Sequence, residues 1–155
     1  MKFMKNIILI FFLFFLFSCG YTSVYKNQKK QDLQINILEM KGDNEFNNLI
    51  KNEIKLYSNA NSNNKYGISI NSKYQKIIFS KNSEGVATDY KISVNTRVDI
   101  NLNNKIKTVE FNESINTKSN SNSFEQNRYE RNIKKNFASS IREKLITKIL
   151  NLNDN

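Results

Sequence analysis

The sequence predicts an α+β fold: a four-stranded, mostly antiparallel sheet covered on one face by two helices, in the order β-α-β-β-β-α. The clearest sign is the run from Tyr90 to Leu102, where Tyr90, Ile92, Val94, Thr96, Val98, Ile100 and Leu102 alternate with Lys91, Ser93, Asn95, Arg97, Asp99 and Asn101. That period of two belongs to a strand with one buried and one wet face. Two further segments, one ending at Tyr57 and one at Leu150, repeat apolar residues at three- and four-residue steps, as one-faced helices do. Striped helices and an alternating sheet bury their apolar sides best against each other.

Taken in order, Leu33, Ile35 and Ile37 alternate with Gln34 and Asn36 and read as a short first strand, which Gly42 and Asp43 break. Phe46, Leu49, Ile50, Ile54 and Tyr57 then form one face of a helix starting at Asp43 or Asn44, with Asn48, Lys51, Asn52 and Lys55 opposite. A polar loop, Ser58 to Asn64, closes it. From Tyr66 the period returns to two through Ile68, Ile70, Tyr74 and Ile78, and the adjacent Ile77 and Phe79 predict a change of register through a bulge or a terminal shift. The next turn falls in Lys81 to Gly85. Asn103-Asn104 suits a tight hairpin turn, followed by a partner strand from Ile106 to Thr117 carrying Val109, Phe111 and Ile115. After the linker Ser119 to Ser123, Tyr129, Ile133, Phe137, Ile141, Leu145 and Ile149 make the four-step row of a long final helix, Phe124 to Leu150. Ser123 and Gln126 offer it a capping box.

The first residues obey different rules. Lys2 and Lys5 precede an unbroken apolar run, Ile7 to Phe17, and small Ser18 precedes Cys19, which is the order of charge, grease and cut site in an export signal. As a helix at ~1.5 Å per residue, the 11-residue run reaches about 16 Å, roughly half of a ~30 Å hydrocarbon core, so a permanent span is not expected. The chain therefore divides into a signal over residues 1–18, a tether over 19–32 and a single α+β domain over 33–152. Cys19 is the only cysteine of the 155 residues, so no intrachain disulfide is available and packing must stabilise the fold.

The chain lacks His, Trp and Pro and carries 27 Asn, a bias that discounts part of the net charge of +10. Loss of Lys2 and Lys5 with the signal leaves 10 − 2 = +8. Such a surface attracts anionic partners, although any single lysine is as well explained by solvation alone. Export argues against nucleic acid. Without histidine there is neither a Ser-His pair nor an imidazole ligand, and Glu110 and Glu113, three apart on a strand, face opposite ways. No catalytic residue, metal ligand or cofactor is expected beyond a covalent lipid on Cys19.

That lipid comes from a resemblance: Leu16, Ser18 and Cys19 resemble a bacterial lipobox, from which bulky Phe17 departs. The resemblance implies diacylglyceryl transfer to the thiol, cleavage before it and acylation of the new amine; the plain alternative is a secreted protein with a free thiol. Several acyl chains give an anchoring that one chain cannot. In that class Gly20, rather than Asp, after the cysteine implies delivery to the outer membrane, on its periplasmic face.

Three features together resemble the family of LPS-assembly lipoproteins, LptE. These are Cys19-Gly20-Tyr21 with Tyr25, the segment Ala87-Thr88-Asp89-Tyr90-Lys91 leading into its alternating strand, and the final helix with Arg128, Tyr129, Ala138, Ile141 and Leu145. The missing prolines and Asn-rich loops depart from the family. The resemblance implies a barrel plug and assembly factor that works with a large LptD-like outer-membrane β-barrel and contacts lipopolysaccharide. The competing reading is a stand-alone periplasm-facing lipoprotein that binds a small anionic or lipidic ligand. In a meander, Lys81 and Lys118 fall at one end of the sheet with Lys76 nearby, where they are candidates for the phosphates of lipid A. Unconnected, solvated lysines are the alternative at those three positions.

Overall fold

The computed structural model describes residues 33–102 and 105–153, so the expectations for the signal, Cys19, the tether and the Asn103-Asn104 turn lie outside the described residues. The elements are β1 (Gln34–Gly42), α1 (Asn44–Tyr57), β2 (Lys65–Lys81), β3 (Ala87–Leu102), β4 (Lys105–Lys118) and α2 (Ser123–Asn153). The strands lie in the order β1-β2-β3-β4. β1 runs parallel to β2, and the other neighbours are antiparallel. This is the predicted α+β architecture, its sheet mixed only at β1.

A parallel pair needs a crossover, and α1 supplies it. Gly42 turns the chain with φ +84°, and a Cβ there would stand 2.0 Å from the Ser72 carbonyl oxygen. Only glycine fits that approach. Asp43 then caps α1 by accepting the Phe46 N–H on Oδ1 at 2.8 Å. At the other end Ser58 donates its N–H to the Ile54 carbonyl, and its hydroxyl accepts the Ile35 N–H at 2.9 Å, joining helix and strand.

Phe46, Ile50 and Ile54 of α1 and Ile133, Phe137, Ile141, Leu145 and Ile149 of α2 are buried against Tyr66, Ile68, Ile70, Ile92, Val94, Val98 and Ile100 of the sheet. Thr96 stands in the same buried row and satisfies its hydroxyl on Ser72 Oγ at 3.1 Å. The row predicted for α2 loses its first member: Tyr129 is 48% exposed, because the helix there has passed the end of the core. The predicted capping box is also displaced. Asn122 accepts the Phe124 N–H at 3.0 Å, and Gln126 reaches back to the Asn120 N–H at 2.9 Å.

Irregularities fall in two strands. The predicted change of register appears as two successive shifts, between Ile78 and Ser80 and between Ser80 and Lys81. Another, between Ile37 and Glu39, was not predicted, and it brings Leu38 over Gly67, where a Cβ would meet Leu38 Cδ1 at 2.8 Å. β3 and β4 pair from Asp89↔Lys118 to Leu102↔Lys105 without a shift.

Candidate functional site

Cross-strand pairing assigns the three candidate lysines to different surroundings. Lys118 ends β4 opposite Asp89, on the face away from the helices. Lys81 ends β2 opposite Ala87, exposed, beyond two successive register shifts. The two do share one end of the sheet, as the meander requires. Lys76 lies opposite Ile92, on the covered face, and five residues before Lys81, about 16 Å along an extended strand.

Lys76 is also engaged. Its Nζ donates to Glu130 Oε2 at 2.7 Å and sits 4.6 Å from the centroid of the Tyr90 ring. Glu130 accepts a second hydrogen bond from the Tyr74 hydroxyl at 2.7 Å. Burial opposes ionisation of Glu130, but the bonds from Lys76 and Tyr74 outweigh it and hold the carboxyl below its ordinary value. Burial first, and then the bond to Glu130, pushes the Tyr74 phenol far above its ordinary value. Lys134 completes the cluster, 4.5 Å from the Tyr74 ring centroid and 2.6 Å from Glu45 Oε2. This network ties β2 to both helices and separates Lys76 from Lys81 and Lys118.

The strand end holds a polar site. The Asp89 carboxylate accepts hydrogen bonds from the hydroxyls of Ser80 and Thr88, the latter at 3.0 Å. Those two bonds, followed by the nearby charge of Lys118, hold it below the ordinary carboxylate range. Beside Lys118 lies an open cleft of about 550 Å³ lined by Thr117, Ser119, Asn120, Gln126 and Tyr129 among others. The Ser119 N–H donates to the Thr88 carbonyl at 2.8 Å and fixes this linker against β3. Gln126 spends its oxygen on Asn120, while its buried Nε2 has no partner. One ammonium with hydroxyl and amide donors suits an anionic group. Gln126, three positions after Ser123, was read only as a cap, and nothing in the sequence marked its contact with Asn120.

The uncovered face of the sheet carries cross-strand pairs of polar side chains among exposed charged residues. Asn95 donates to Asn112 Oδ1 at 2.6 Å and Thr108 to Asp99 Oδ1 at 2.6 Å. Glu110 stands there opposite Arg97, whereas Glu113 points to the helices and accepts from Ser140 at 2.8 Å and Lys144 at 2.6 Å. At the hairpin between β2 and β3, Ile77, Ile78, Phe79 and Val86 are each more than half exposed. Among the described residues no helix is long and apolar enough to cross a membrane.

No protein-family model matches the chain, and no curated protein does. Solved structures share its fold. Rare lipoprotein B from Shewanella oneidensis superposes with a TM-score of 0.57 at 10% identity, over 76% of this chain and 96% of that one. A protein assigned as a lipoprotein from Caulobacter crescentus gives 0.58 at 9% identity, over 81% and 92%. The fold is thus one found in bacterial lipoproteins.

Proposed function

We propose that this chain is an outer-membrane lipoprotein, anchored through Cys19, that helps assemble and plugs a large β-barrel translocon delivering lipopolysaccharide to the outer leaflet. The observation that carries the reading is the union of a lipobox-like start with a fold shared with rare lipoprotein B. The uncovered polar sheet face adds support, since a wet, amide-rich surface suits the water-lined interior of a barrel. The reading makes the chain a binding and assembly protein rather than an enzyme.

Extraction of the full mature chain in mild detergent tests this directly. Co-purification with a large β-barrel protein is the expected result, and elution alone would overturn it in favour of a stand-alone lipoprotein. The cleft beside Lys118 is the observation that favours that second reading, because it offers donors to a small anion without any partner. For the strand end, K81E/K118E is expected to weaken lipopolysaccharide binding about tenfold or more in a pull-down while leaving the circular dichroism spectrum unchanged. Wild-type binding by that variant would remove these lysines from the site.

A further inference from the structure

We propose that the groove beneath the β3–β4 end of the sheet binds an anionic phospholipid, with Lys105 and Lys107 taking the phosphate and Ile100, Leu102 and Leu152 the acyl chain. The starting observation is a broken pattern. Along β4 the helix-facing positions hold Val109, Phe111 and Ile115, yet the first two of that row are Lys105 and Lys107, opposite Leu102 and Ile100. The one acid of that row, Glu113, is bonded by Ser140 and Lys144, whereas two adjacent cations facing the core break the apolar period with no carboxylate beside them, and such local violations collect at functional sites.

The space around them supports a ligand. A groove of about 490 Å³ is lined by Ile100, Leu102, Lys105, Ile106, Lys107 and Leu152, within the ~300–1,000 Å³ range of small-molecule sites. Its floor is aliphatic, with Ile100 buried and Leu102 and Leu152 packed against the core. Neither lysine joins a carboxylate in an ion pair among the described residues, whereas Lys76, Lys134, Arg142 and Lys144 all do. An apolar floor beneath two ammonium groups with no carboxylate partner among the described residues matches a molecule with a hydrocarbon chain and a phosphate.

The position fits as well. Gln34 pairs with Lys65 and Gly67 with Asn101, so the chain enters the domain at this end of the sheet. That argument rests on the anchor reading of Cys19, under which this end lies nearest the bilayer; the placement of the lysines does not. A competing role is electrostatic. The last turn of α2 carries no basic residue, and its carbonyl end attracts cations.

The test titrates the full mature chain in nonionic detergent with lysophosphatidylglycerol and, separately, with lysophosphatidylcholine, following the backbone amide signals of Lys105, Lys107 and Leu152 by NMR. Saturable shifts at those residues are expected with the anionic lipid. Affinity should fall about tenfold with the zwitterionic lipid and in K105Q/K107Q, and hold in K73Q/K91Q, which removes equal charge from the uncovered face. Equal response to both head groups, or shifts centred on Lys118, would overturn the proposal. So would a K105Q/K107Q variant that binds normally but melts lower, which would assign the lysines to the helix end. Should that variant not fold, L152Q keeps the charges and removes part of the floor, and undiminished affinity in it would also overturn the proposal. Co-purification with a barrel is a separate readout, so either reading can fail alone.

Discussion

The two faces of the sheet differ in what holds their side chains. On the covered face, Lys105 and Lys107 apart, even the charged groups are locked: Arg142 lies between the helices, its guanidinium 4.1 Å from the Tyr57 ring centroid, 2.7 Å from Ser139 Oγ and 3.4 Å from Glu53 Oε2. On the uncovered face Asn95 pairs with Asn112 and Thr108 with Asp99, which also meets Arg97 at 3.5 Å, all at the solvent surface. Stability is therefore concentrated on one side, and the other is free to change without unfolding the domain. A protein that must stay folded and still offer a broad surface is served by that division.

Substitutions in the core should show the largest effect. Ile141 is fully buried where α2 meets the sheet, and I141A is expected to cost about 2–5 kcal/mol, read as a lower midpoint in urea with an unchanged slope. A loss under 1 kcal/mol would mean that the covered face is not the stabilising one. Arg142 comes next. Removing it by R142L leaves Glu53 partly in water and also eliminates a buried, unpartnered Nε, so the expected loss is roughly 1–3 kcal/mol, below that for breaking a fully buried pair. A neutral result would reduce Arg142 to packing alone.

The covered face was also the more legible of the two in the sequence. Period alone placed Ile92 to Ile100, Phe46 to Ile54 and Ile133 to Ile149, because burial selects side chains by class and spacing. What it missed depends on particular three-dimensional partners. Asn47 sits fully buried on α1 because its amide donates to the Lys41 carbonyl at 2.6 Å, a contact across a turn that no periodicity encodes. Leu38 left the alternating row through a bulge that had no glycine or proline to mark it. Of the candidate site, the shared end of Lys81 and Lys118 followed from strand direction. The capture of Lys76 by Glu130, 54 residues away, did not, since a charged residue on an amphipathic pattern reads as solvated until its partner is known.

That capture gives the covered face a pH response of its own. Glu130 is held below its ordinary value of 4.5, so the folded state binds its proton more weakly than the unfolded state does. Its contribution is present above 4.5 and is lost as the pH falls through the lowered value. E130Q should therefore lower stability at neutral pH by about 1 kcal/mol and flatten the acid limb of a pH-melting series. An acid limb unchanged in E130Q would assign the response to other carboxylates.

The smallest effect is the most discriminating. N95A/N112A removes a 2.6 Å hydrogen bond between two exposed side chains, and both groups are already within reach of water. Donor and acceptor go together and leave no unpaired group, so stability should change by less than about 0.5 kcal/mol. Under the barrel reading the same pair lies at an interface, where a lost amide leaves its opposite number without solvent. The double variant should then release the barrel partner during detergent washing while melting as the wild type does. Retention of the barrel together with unchanged melting would show that this part of the face touches nothing. A large loss of stability in the isolated chain would erase the distinction between the two faces, since it would place structural weight on side chains that now bond only to one another.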